Sequence, residues 1–194
     1  MVRAPVVAAV ALALAPAAGQ AQEGDRIVPT FQLDAKRDVR GPLDLTRIAL
    51  SRRPDGRLRG EVTMRRAWGS DDLGARDSVC LKLYMQAQPD AEPPDYLVCV
   101  TAPKEGRALA GRVLRNRANG LPRLVATAFV TRPTARTAYL RFTQASIGRP
   151  AAFEFSAESL THGTRCPAGI GCMDVVPEAP GTRTFRLRPD TSPG

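Results

Sequence analysis

Residues 58–68 read LRGEVTMRRAW, and their period of two decides the fold class. Leu58, Val62, Met64 and Trp68 fall on even positions, interrupted by Gly60 and Arg66. Arg59, Glu61, Thr63 and Arg65 fall on odd ones. Successive side chains of a strand point to opposite faces, so this is the pattern of a strand buried on one side. Just before it, Pro54-Asp55-Gly56 is a turn, and residues 43–50, LDLTRIAL, are another apolar, alternating run. The two runs read as a β-hairpin.

The same signature recurs along the chain. FQLD (31–34) is a candidate first strand. Residues 107–116 place Leu109, Gly111 and Val113 on one face, and NGLP then turns the chain. Residues 123–131, RLVATAFVT, are apolar on both faces and read as a central strand covered on both sides. Residues 136–143 put Ala138, Leu140 and Phe142 inward, AAFEFSAES puts Phe153 and Phe155 inward, and a last short strand runs through Phe185 and Leu187. Residues 159–182 read as the largest irregular stretch, and the loop 68–77 has room for a short helical turn. About nine short strands separated by Pro, Gly and Asp turns predict an all-β fold, a single antiparallel β-sandwich of jelly-roll or immunoglobulin-like type. No segment outside the first residues sustains a 3.6-residue period.

The four cysteines sharpen one pairing. In SVCLKLYM (78–85) and DYLVCVTA (95–102), a hairpin that sets Cys80 opposite Cys99 sets Tyr84 opposite Asp95. Both cysteines then point away from the face of Val79, Leu81 and Val98, which favours a cross-strand disulfide. Cys166 and Cys172 close the short CPAGIGC loop. Five residues between the sulfurs is not the C-x-x-C spacing of a catalytic dithiol, and no paired knuckles mark a zinc site. Both pairs read as structural disulfides.

Residues 1–21 read as a secretory signal peptide: Arg3, the apolar run VVAAVALAL, then Pro16 and small residues at Ala17, Ala18, Gly19 and Ala21. That run is far short of the ~20 apolar residues a membrane span needs. The expectation is an exported chain without a membrane span, with one domain in residues 22–194, its ordered part about 27–189. The net charge is +9, and all but three of the 28 basic residues are arginine. The arginines occur in every segment, aromatic residues are only 5%, and specific nucleic-acid binding is therefore disfavoured. Such an arginine bias is what a GC-rich coding sequence produces, and the functional alternative is a glycan or another acidic surface as partner.

Asp34, Asp38, the run Gly41-Pro42-Leu43-Asp44-Leu45, the paired strand ending in Trp68 and the late IGRPAAFEFSAES together resemble uncharacterised secreted β-sandwich proteins of GC-rich bacteria. The opening is also loosely similar to carbohydrate-binding-like and DOMON-type sandwiches. This resemblance implies a sandwich and no particular activity.

Candidate sites remain few. Arg57, Arg59 and Arg65, within the local cluster that includes Arg52, Arg53 and Arg66, form with Tyr84 and Tyr139 a candidate binding face. The simpler reading is a solvated outer surface that resists edge pairing. Trp68 is more simply core. His162 is the lone histidine, in SLTHGTR, without a G-x-S-x-G elbow beside it. Asp34, Asp38, Asp44, Asp71 and Asp72 are oxygen ligands of the kind Ca²⁺ takes, but no EF-hand spacing is present, and turn-forming roles explain them. The reading is an exported, non-catalytic binding or interaction module with no cofactor assigned, Ca²⁺ at the loop aspartates being the minority option. The alternative is a small secreted hydrolase using His162 or loop carboxylates.

Overall fold

The computed structural model describes residues 29–34, 39, 41–74, 76–85, 93–102, 108–162, 166, 172–178 and 181–187. The leader, Asp38, most of the 86–94 turn and the interior of CPAGIGC lie outside the described residues.

The described chain is all-β. Its strands are β1 (Thr30–Leu33), β2 (Leu45–Arg52), β3 (Leu58–Met64), β4 (Ser78–Tyr84), β5 (Tyr96–Thr101), β6 (Ala110–Arg115), β7 (Arg123–Thr131), β8 (Thr137–Phe142), β9 (Ala152–Thr161), β10 (Cys172–Val176) and β11 (Arg183–Arg186). Two short 3₁₀ turns, Ser70–Asp72 and Gln144–Ile147, are the only helical pieces among the described residues. The first falls in the loop where a helical turn was expected.

The pairing is antiparallel throughout, in the order β1-β2-β3-β8-β7-β6-β5-β4-β9-β10, with β11 also on β9. The sheet curls until β10 lies against β2 and β11 against β1, so it is nearly barrel-shaped. β7 is the hinge of this path. Its first part pairs with β6, and only its last residues, Phe129 to Thr131, pair with β8.

Alternation explains what the sheet encloses. Leu58, Val62 and Met64 of β3, Val79, Leu81 and Leu83 of β4, Val98 and Val100 of β5, Leu140 and Phe142 of β8 and Phe153 and Phe155 of β9 are all buried. Each such side chain withdrawn from water contributes about 1.5–3 kcal/mol. β3 and β4 are not sheet neighbours, yet they meet inside: a Cβ built on Gly60 falls 2.1 Å from Leu81 Cδ1. The glycine in the middle of β3 is thus the gap that lets Leu81 fill the interior. Trp68 is buried as expected, its indole N–H donating to the Arg136 carbonyl at 2.8 Å.

The β2–β3 hairpin turns at Pro54–Gly56, with Gly56 at φ +74°. The β4–β5 hairpin has Cys80 opposite Cys99, and the two are bonded, with Cα atoms 4.0 Å apart. Cys166 and Cys172 are bonded as well.

Three expectations need correction. There are eleven strands among the described residues, not about nine. β10 lies inside the stretch read as irregular. Its inward residues are Asp174 and Val176, and an inward aspartate erases the apolar alternation that marks a strand. Finally, β7 is not covered on both sides: Leu124, Val125 and Phe129 are exposed. Among the described residues its outer face is left largely open, with the Arg141 guanidinium over the Phe129 ring.

Candidate functional site

The outer face of β3 and β8 brings together two of the five residues singled out in the sequence. Arg59 projects from β3 and Tyr139 from β8, and the guanidinium carbon lies 4.7 Å from the ring centroid. Arg59 Nε also donates to Ser51 Oγ on β2 at 3.3 Å. Alternation places both side chains outward, because their neighbours Leu58, Gly60, Ala138 and Leu140 face the core.

Cross-strand register then adds residues that the sequence reading did not pick out. Arg59 is opposite Arg141 on β8, and Arg141 is opposite Phe129 on β7. Arg141 lies 4.7 Å over the Phe129 ring, and Arg47 of β2 lies 4.6 Å over Phe31 of β1. Phe129 is 62% exposed and Phe31 48%. The face is therefore a lattice of arginines, each laid on an aromatic ring. A guanidinium lying over a ring is attracted by the ring's quadrupole, and its N–H edges stay available for a ligand.

Charge on this face is not balanced. Like charges directly opposite in a ladder destabilise it, and Arg59 and Arg141 are such a pair. The one carboxylate in the lattice, Glu61, is held by Arg47 at 3.2 Å. The β7–β8 part of the face has no acid nearby in sequence: between Glu105 and Glu154 the chain has nine arginines and neither Asp nor Glu. That acid-free stretch is the signal that would have pointed to Arg141.

The remaining predicted face residues go elsewhere. Arg57 lies at the hairpin turn, exposed, its backbone N–H on Asp55 Oδ1 at 3.1 Å. Arg65 turns to the buried Asp44, 2.8 Å away, and its own N–H bonds the Asp44 carbonyl. Tyr84 stands on β4 opposite Glu154, in the other half of the sheet.

His162 is joined to Asp77. Its backbone N–H and its Nδ1 both meet Asp77 Oδ1, at 2.7 and 3.0 Å, and Asp77 Oδ2 accepts from Gly74 N–H at 2.8 Å. The buried carboxylate thereby ties the end of β9 to the loop before β4. The hydrogen bonds described at His162 all go to Asp77, and among the described residues no serine hydroxyl makes the nucleophile–base contact of a triad.

Of the aspartates singled out in the sequence, Asp44 and Asp72 have structural partners. Asp44 holds Arg65, and Asp72 accepts from Gly69 N–H at 2.7 Å as a turn cap. Glu158 pairs with Lys82 at 3.1 Å, and Glu154 accepts from Thr182 Oγ1. Among the described residues no group of three His, Cys, Asp or Glu side chains is placed to hold a metal ion.

Comparison with protein-family models, with curated proteins and with solved structures finds no match to this chain.

Proposed function

We propose that the protein is an exported, non-catalytic interaction module of β-sandwich type, and that the outer face of β2, β3, β8 and β7 binds an acidic glycan. The observation that carries this reading is the row Arg59–Arg141–Phe129 with Tyr139 beside it. Guanidinium forks recognise carboxylate and sulfate oxygens, and flat rings between them offer stacking area to a sugar. The sandwich reading is supported by β3 and β4 meeting across the interior at Gly60 and Leu81. Export is supported by two disulfides, which persist in oxidising compartments, and by the leader expected over residues 1–21. Among the described residues no helix is long and apolar enough to cross a membrane. The likeness to secreted sandwich proteins of GC-rich bacteria belongs to the same proposal.

The test is calorimetric titration with a sulfated glycosaminoglycan and with a neutral polysaccharide, at low and at moderate salt. Specific binding predicts a preference for the acidic chain that survives moderate salt and falls at least about tenfold in Arg59→Ala/Arg141→Ala. Binding that vanishes at moderate salt, or that the double variant leaves unchanged, defeats the reading.

A further inference from the structure

The second concentration of unmatched charge lies at the far end of β7. The connection between β6 and β7, residues 116–122, is flanked by Arg115 and Arg123, which stand directly opposite each other in the ladder. With Arg117, Asn116, Ala118 and Val125 they line an open cavity of about 380 Å³. Among the described residues no carboxylate is paired with any of these three arginines. Asp95, next to Tyr96 on the neighbouring strand, gives its carboxylate to the Met85 N–H at 2.7 Å instead. Among the described residues Arg115 has the Tyr96 ring as its side-chain partner, 6.0 Å away. Two exposed like charges opposite each other in the ladder, without an acid between them, raise the local positive potential and so favour an anion.

The same hairpin end is apolar where it projects furthest. Leu121 is 87% exposed, between Gly120 (φ +103°) and Pro122. Leu124 and Val125 follow at 52% and 43%. Val125 is an extra residue: Val113 pairs with Ala126 and Leu114 with Leu124, so β7 bulges by one residue there. A bulge re-aims side chains at a sheet's rim. The tip therefore combines protruding aliphatic groups with guanidinium groups just behind them and no acid nearby in sequence. A soluble acidic ligand accounts for the arginines but leaves Leu121 in water. An anionic lipid surface accounts for both, since aliphatic tips enter the headgroup boundary while arginines stay with the phosphates.

We infer that the β6–β7 hairpin end docks on an anionic phospholipid surface, a lipid phosphate entering the pocket of Arg115, Arg117 and Arg123 while Leu121 enters the interface. This site is separate from the Arg59–Arg141 face and does not depend on it.

The experiment is co-sedimentation of the exported, disulfide-intact protein with phosphatidylglycerol–phosphatidylcholine vesicles and with phosphatidylcholine vesicles. Binding is expected to the anionic vesicles alone. Leu121→Ser should weaken it about tenfold, and Arg115→Gln and Arg123→Gln roughly fivefold each. Arg59→Ala/Arg141→Ala should leave it unchanged, so failure of the glycan reading and failure of this one are distinguishable. Leu121 is exposed, so its substitution does not threaten the fold. Equal binding to both vesicle types overturns the inference, as does vesicle binding indifferent to Leu121. Binding of inorganic phosphate or glycerol phosphate by these arginines, without vesicle binding, also overturns it and marks the pocket as a site for a free anion.

Discussion

The buried carboxylate of Asp174 in β10 accepts the backbone N–H of Leu45 in β2 at 2.5 Å. These strands have no ladder between them, so a side chain supplies the bond that backbone pairing does not. Ser159 of β9 does the same a step away, its hydroxyl donating to the Leu43 carbonyl at 2.5 Å. Together they satisfy backbone groups where the curled sheet comes back on itself. Replacing Asp174 by Ala leaves a buried N–H unmet and should cost about 3 kcal/mol of unfolding free energy in urea titration. Asp174→Asn keeps an oxygen acceptor and should cost roughly half as much. Equal losses in the two variants would show that the charge, not the acceptor, matters at this seam.

Gly60 and Leu81 should behave as a coupled pair. Gly60→Ala puts a methyl group where Leu81 Cδ1 already sits, and such overpacking costs about 1–3 kcal/mol. Leu81→Ala opens a cavity costing about 2–5 kcal/mol. The double variant Gly60→Ala/Leu81→Ala should be less destabilised than the sum, because the new methyl occupies space the leucine vacated. Additive losses in denaturant titration would contradict this packing.

The two disulfides should differ in what they contribute. Cys80–Cys99 closes a sequence separation of 19 and Cys166–Cys172 one of 6. Loop-closure entropy gives about 3 kcal/mol for the first and about 2 kcal/mol for the second. Paired Cys→Ser replacements, compared by thermal and urea unfolding, should follow that order. The gap should widen further because Cys80 and Cys99 are both buried.

Asp77 and His162 separate a structural from a catalytic role. Asp77 receives the His162 N–H, the Gly74 N–H and the imidazole. Asp77→Ala should therefore lose about 2–4 kcal/mol of stability, whereas His162→Ala removes only the imidazole contact and should lose about 1 kcal/mol or less. Ester and glycoside hydrolysis assays should show no activity that His162→Ala abolishes. A His162-dependent rate would restore the hydrolase reading.

Arg59, Tyr139, Arg141 and Phe129 should act as a unit in ligand binding rather than in folding. Tyr139→Ala should reduce stability by no more than about 1 kcal/mol, the worth of an exposed cation–π contact. The same change should reduce affinity for the sulfated glycosaminoglycan by about fivefold or more, as loss of ring contact does at sugar and aromatic surfaces. Unaltered affinity in Tyr139→Ala would leave a face that works by charge alone.

Much of the local architecture was legible in the residues. Leu58 to Trp68 alternates because one face is buried. Cys80 and Cys99 fall opposite each other in a register that keeps Val79, Leu81 and Val98 on one side. Gly56 marks its turn because the backbone there has positive φ. The failures were equally physical. Asp174 concealed β10 by facing inward. β7 looked like a covered central strand, but composition does not tell an apolar side chain in a core from one held out to solvent. The candidate face was half recovered: Arg59 and Tyr139 met, while Arg65 went to Asp44 and Tyr84 to the other half of the sheet.

Side-chain period and turn chemistry act over a few residues, so the sequence by itself determined that the chain is all-β, where most strands lie and how its cysteines pair. Which strands become neighbours is settled by long-range packing, here by β3 joining β8, β4 joining β9, and the seam between β2 and β10. Alternation says which side of a strand a residue occupies, but nothing about what lies beside it. Only the tertiary structure could therefore set Arg59 against Arg141, lay both on aromatic rings, and leave Leu121 projecting in front of three arginines without an acid among them.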